Sequence, residues 1–106
     1  MELTFRKSGD VLSFHLKGRI LGPDAMKLRD ALDKALELGA GLRSVRADLG
    51  AYTDMDDASI DVLADWHFRC RRDGLTARFV RVPAQLRERF MLRGIYDFDD
   101  DTPIIV

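Results

Sequence analysis

Ala47-Asp48-Leu49-Gly50-Ala51-Tyr52-Thr53-Asp54-Met55-Asp56-Asp57-Ala58-Ser59-Ile60-Asp61-Val62-Leu63 is the stretch on which the reading of this chain turns. It predicts a buried strand ending at Asp48, a short acidic loop, and a helix that opens at Asp56-Asp57. Carboxylates and one serine hydroxyl then sit at a helix N-terminus. The first N–H groups of a helix lack partners and carry partial positive charge, so acidic and hydroxyl side chains belong there. The same geometry suits a regulated phosphate or a partner's contact. No catalytic constellation stands out elsewhere in the chain.

Upstream, Glu2 to Lys7 alternates around Leu3 and Phe5, and Val11 to Ile20 alternates around Leu12, Phe14 and Leu16. Ser8-Gly9-Asp10 between them reads as the turn of a β-hairpin. Leu21-Gly22-Pro23-Asp24 breaks the strand. Asp24 to Leu38 carries Leu28, Ala31, Leu32, Ala35 and Leu36 at helical spacing and ends at Gly39-Ala40-Gly41. Leu42 to Leu49 is the next strand.

Downstream, the second helix runs to about Arg72, with Ile60, Leu63, Trp66, His67 and Cys70 toward the core. Leu75 to Val82 is a strand. Pro83 opens a third helix through Leu92, with Leu86, Phe90 and Met91 inward and Gly94 as its stop. Tyr96 and Phe98 are expected to tether the return, and Pro103 to Val106 to form a short last strand. The order is ββαβαβαβ, an α/β fold with a small mixed, mostly parallel sheet and helices packed on it.

At 106 residues the expectation is one domain, residues 1–106. Hydrophobic content of 46% and charged content of 33% exclude a disordered chain. No apolar run approaches the roughly 18 residues of a membrane helix, so no membrane insertion is expected. The first residues lack the apolar core of a signal peptide, which makes a cytoplasmic location the expectation. Cys70 is the single cysteine, so an internal disulfide is excluded.

The net charge of −1 is unevenly spread. Ala47 to Asp65 holds six acids and no base, whereas Arg69 to Arg93 holds eight arginines against Asp73 and Glu88. Segregated charge either steers a partner or cancels in space once the chain folds.

Asp54, Asp56, Asp57 and Asp61 are oxygen donors of the kind calcium prefers. Their spacing is not that of an EF-hand loop, and capping accounts for two of them, so no metal or other cofactor is expected. His15 and His67 lack a nucleophile or carboxylate at the spacing of a catalytic motif. The arginines of Arg78 to Arg89 alternate as the wet faces of a strand and a helix, and no nucleic-acid motif accompanies them.

Three segments carry a family resemblance. They are Leu16-Lys17-Gly18-Arg19-Ile20, Asp48 to Asp56, and Leu92-Arg93-Gly94-Ile95-Tyr96-Asp97-Phe98. In order and spacing they resemble the STAS domain family of bacterial anti-sigma factor antagonists, whose fold recurs in transporter tails and stressosome proteins. The resemblance implies a non-enzymatic, transcription-regulating module. Its partner would be an anti-sigma factor of the histidine-kinase-like ATPase type. The contact surface would run through Thr53, Asp54, Asp56 and Asp57, then Ala58, Ser59 and Ile60.

One departure stands out. After its aspartate the family carries Ser-Ser-Gly or Thr-Ser-Gly, and the second hydroxyl receives the phosphate. Here Asp56 matches the aspartate, Asp57 replaces the first hydroxyl, Ala58 occupies the phosphoacceptor position and Ser59 the glycine position. Either Asp57 supplies a permanent, weaker negative charge, or Ser59 takes the phosphate from a position rotated by about 100° on the helix. The expectation is that the standard phosphoserine switch is absent. An alternative function is an accessory subunit of a larger assembly, of lipid-transport or stressosome-like type, which needs no phosphorylation.

Overall fold

The computed structural model describes residues 1–39, 41–96 and 98–99. Its strands are β1 (Glu2–Ser8), β2 (Val11–Ile20), β3 (Ser44–Met55), β4 (Thr76–Val80) and β5 (Phe98–Asp99). Its helices are α1 (Asp24–Glu37), α2 (Asp57–Arg72) and α3 (Ala84–Met91). The expected ββαβαβαβ order is the one observed.

β1 and β2 form an antiparallel hairpin, and β3, β4 and β5 then add in parallel, so spatial order equals chain order. Gly9 sits at φ +60° in the first position of the two-residue hairpin turn, a place where a left-handed backbone matches the strand twist. Each parallel step is a right-handed crossover by rule, which puts α1, α2 and α3 on one face. Burial follows that face. Leu12, Phe14 and Leu16 of β2, Val45, Ala47 and Leu49 of β3, and Ala77 and Phe79 of β4 are buried, and the intervening positions are mostly more open.

An aromatic chain crosses this core. Phe14 meets Trp66 edge-on at 5.0 Å between ring centroids, Trp66 meets Phe79 at 5.8 Å, and Phe79 stacks on Phe90 at 4.5 Å. His67 stacks on Phe79 as well, at 5.4 Å. Each such side chain withdrawn from water contributes roughly 1.5–3 kcal/mol. Cys70 is fully buried in the same layer. Burial, with the nearby Asp73 adding to it and Arg69 opposing, pushes its thiol up to about 12.

Three expectations need correcting. The acidic loop after Asp48 is strand, because β3 continues to Met55 beside β2. Ten residues of β2 face twelve of β3, absorbed by register shifts between His15 and Lys17 and between Gly18 and Arg19. β4 pairs only with Ser44 to Asp48. From Gly50 to Asp54 β3 is mostly exposed, with only Tyr52 partly covered before Met55 turns into the core, so this part lacks the apolar alternation that would have marked it as strand. Met91 is exposed, since α3 buries only Leu86 and Phe90. Tyr96 is exposed too, whereas Phe98 lies in β5 beside Phe90, with the Arg87 guanidinium over its ring. The strand expected at Pro103 to Val106 lies outside the described residues.

Candidate functional site: the start of the second helix

α2 begins where β3 leaves the sheet, beside the loop that joins β2 to α1. Asp56 is the N-cap, with extended backbone (φ −82°, ψ 170°). One of its carboxylate oxygens accepts from the Ser59 N–H at 2.9 Å, and the other from the Gly22 N–H at 2.7 Å. The Asp56 N–H in turn donates to the Ile20 carbonyl. These bonds from Gly22 and Ser59 hold the Asp56 carboxyl below the usual aspartate range. The Ser59 hydroxyl donates to the same Ile20 carbonyl at 3.1 Å. Ser59 and Ile60 are both 0% exposed, so they lie beneath the surface as part of the joint between β2 and α2.

The other residues named from the sequence are outward. Thr53, Asp54, Asp57 and Ala58 are exposed, and Asp56 is half-buried between them. Asp54 accepts the N–H of Met55. Ala58 presents a bare methyl group in the first turn, two residues after the cap.

α3 lies alongside and answers the acids of α2. Arg89 donates to Asp57 at 2.7 Å and to the Met55 carbonyl at 2.7 Å. Arg93 donates to Asp61 at 2.7 Å and lies 3.6 Å from Asp57. The Arg89 hydrogen bond and charge, with Arg93 behind them, hold the Asp57 carboxyl low. Asp57 and Asp61 are four residues apart and project from one face of α2, while Arg89 sits in the last turn of α3 and Arg93 in the turn just past its end. The four-residue spacing of both pairs was in the sequence, but the sequence reading assigned Arg87, Glu88 and Arg89 to solvent and missed it. Here and at Arg81–Asp48 the oppositely charged blocks meet and offset one another, while Arg69 pairs instead with Asp33 of α1. Pairs this exposed contribute little stability but fix the two helices' polar rims. Close by in the chain, Phe68, Met91 and Leu92 are exposed apolar residues, Leu92 at 86%.

The two histidines separate. His67 is buried in the aromatic layer. His15 gains a carboxylate neighbour that sequence spacing had not shown: its Nδ1 lies 3.2 Å from Asp48, which faces it across β2 and β3. Among the described residues no three His, Cys, Asp or Glu side chains converge as a metal-binding group. No helix among them is long and apolar enough to cross a membrane.

A family model described as "Mlab, STAS domain" matches residues 3–102. No curated protein matches the chain. Among solved structures, the unphosphorylated form of the anti-sigma factor antagonist SpoIIAA superposes with a TM-score of 0.77 at 10% identity, over 96% of this chain and 91% of that one. A serine-to-glutamate variant of RsbS from Moorella thermoacetica gives 0.78 at 13% identity, over 97% and 90%. The murine anion transporter Slc26a9 matches over 82% of this chain and 14% of its own, with a TM-score of 0.66 at 15% identity. At such identities these likenesses are likenesses of fold.

Proposed function

The chain belongs to the STAS family, and from that premise we propose that it is a non-enzymatic regulatory module that binds a protein partner without a phosphoserine switch. The contact surface is the end of β3 and the start of α2: Thr53, Asp54, Asp57 and Ala58, with Asp56 as their brace. Ser59 and Ile60 belong to this site as its floor. The partner, by resemblance to the antagonists, is an anti-sigma factor of the histidine-kinase-like ATPase type, and the setting is the cytoplasm.

The observation that carries this reading is the contrast between two neighbours. Ala58 is exposed but has no hydroxyl. Ser59 has a hydroxyl, but it is 0% exposed and bonded to the Ile20 carbonyl. Phosphate on Ser59 would bring nearly two negative charges into a closed polar joint and break that bond, a costly burial of charge. A permanently competent binding surface suits this arrangement better than a switched one.

A second reading is an accessory subunit of a larger assembly, of lipid-transport or stressosome-like type. It is favoured by the Mlab description of the matching family model and by the same missing acceptor at Ala58.

Affinity capture from lysate with wild type and Ala58→Arg tests the site and separates the readings. Asp57→Arg is the poorer probe, because it would set a third guanidinium against Arg89 and Arg93. The expected result is a partner retained by wild type, with or without ATP, and lost by Ala58→Arg. Capture of a histidine-kinase-like ATPase supports the antagonist reading, and capture of transport or scaffold subunits supports the accessory one. Equal capture by wild type and variant would move the contact surface elsewhere. ATP-dependent release with phosphate on Ser59 would overturn the unswitched reading.

A further inference from the structure

β1 is the first strand of the sheet, and its outer edge meets no other strand among the described residues. Its residues are exposed apart from a half-buried Leu3, and Phe5 is 41% exposed. Leu3, Phe5 and Lys7 pair with Leu16, Phe14 and Leu12 of β2 and so share the helix-covered face. Glu2, Thr4 and Arg6 alternate with them onto the open face. Ser8 and Val11 close the two-residue turn, the position at which an antiparallel pair exchanges both backbone bonds. Counted back by twos, the bonds to β2 are made by Ser8, Arg6, Thr4 and Glu2. The N–H and C=O groups of Leu3, Phe5 and Lys7 therefore point outward along the edge, an arrangement that templates a further strand.

The sequence of β1 is complementary to itself. A two-fold axis through Thr4, perpendicular to the sheet, would set two copies of β1 antiparallel. Leu3 of each copy then faces Phe5 of the other, both with outward backbone groups. Glu2 of each faces Arg6 of the other, and the two Thr4 side chains meet at the axis. Opposite charges, apolar pairs and threonine pairs are cross-strand combinations that stabilise a sheet. Neither the Glu2 nor the Arg6 side chain has an ion pair among the described residues. Other axes fit worse. One at Phe5 sets Leu3 opposite Lys7 and Thr4 opposite Arg6, and one at Arg6 sets that arginine against its own copy. Beside Phe5 an apolar cleft of about 380 Å³ opens toward α1, lined also by Leu12, Ala35, Leu38 and Leu42. In the Thr4 register, Leu3 of the second copy lies on this same face, opposite Phe5.

We propose that the β1 edge pairs with β1 of a second copy of this chain, centred on Thr4, to form a continuous two-fold sheet. Such a contact uses the same patch on both copies and closes at the dimer. Lys7, a charge on the helix-covered face of the kind that guards an edge against indiscriminate pairing, falls at the end of the paired stretch, opposite Met1. A strand from another protein would find the same backbone groups, but the Glu2–Arg6 and Leu3–Phe5 matches select this strand itself. The net charge of −1 per copy opposes association only weakly. A seven-residue edge is a small contact, so the dimer is of the weak, concentration-dependent class. None of these residues belongs to the start of α2, so failure here leaves the proposed function untouched.

Sedimentation equilibrium from micromolar to millimolar protein tests the proposal on wild type, Glu2→Arg, Arg6→Glu and the double reversal. The wild-type mass should rise from 12.1 kDa toward twice that value. Each single reversal places two like-charge pairs across the axis and should raise the dissociation constant about tenfold. The double reversal restores both pairs and should recover wild-type affinity. Circular dichroism checks that each variant folds. Thr4→Cys should form a disulfide-linked dimer on oxidation with diamide, because facing Cα atoms in such a pair lie about 4.5 Å apart; the native Cys70 is buried. Faster linking of Phe5→Cys, or a double reversal as weak as the singles, would overturn this pairing. A dimer indifferent to both reversals would have its interface on another face and would overturn it too. So would a wild type that stays monomeric at millimolar concentration, which would leave the edge to a strand from another protein.

Discussion

Asp56 accepts a 2.7 Å hydrogen bond from the backbone N–H of Gly22, thirty-four residues earlier in the chain. Its other oxygen caps α2 through Ser59. One carboxylate therefore fixes two helix starts at once. Asp56→Ala should lower the urea midpoint more than Asp57→Ala does, because Asp57 is 78% exposed and only meets arginines. Asp56→Asn should recover part of the loss, since its amide oxygen can still accept one of the two bonds. The sign with pH follows from the lowered carboxyl. The Asp56 contribution is fully present above the ordinary value of 3.8 and is lost as pH falls through the lower folded value. Denaturant melts between neutral pH and pH 3 should show wild type losing more stability on acidification than Asp56→Ala.

Phe79 lies at the centre of the aromatic chain, touching Trp66, His67 and Phe90. Phe79→Ala should cost about 3–5 kcal/mol by equilibrium denaturation, and Phe79→Leu clearly less, because the leucine leaves a smaller void. A cost below about 1 kcal/mol would mean that the surrounding rings close over the space.

Gly50 and Arg81 are coupled. A Cβ at position 50 would lie 3.0 Å from Arg81 Nε and 3.2 Å from Arg81 Cβ. Gly50→Ala requires Arg81 to give by a few tenths of an ångström, which strains its fork to Asp48, at an expected cost of about 1 kcal/mol. In the Arg81→Ala background the same change should cost less by at least about 0.5 kcal/mol. A double-mutant cycle that adds exactly as independent sites would remove the clash as the cause.

Cys70 should be inert in the native state. Its thiol is buried and pushed up to about 12, so thiolate is scarce at pH 8. A chromogenic disulfide reagent should react with it only after denaturant is added. Prompt native reaction would show that α2 opens locally at its C-terminal half.

The sequence by itself determined the order of elements, most of the face each helix buries, and that Asp56 or Asp57 caps α2. These depend on local periodicity and on the chemistry of unpaired N–H groups, which neighbouring residues specify. Leu12, Phe14 and Leu16 announced β2, and Asp56 announced α2, without help from distant segments. It misread Thr53 and Asp54 as loop, because a strand supported from one side beyond the core carries no apolar pattern. It also left open whether the acidic and basic blocks cancel. Tertiary structure decided that, by laying Arg89 at the end of α3 and Arg93 just past it against the Asp57–Asp61 face of α2. It likewise decided which of Ala58 and Ser59 meets solvent. Those relationships join residues far apart in the chain, through strand register and helix packing that no local stretch encodes.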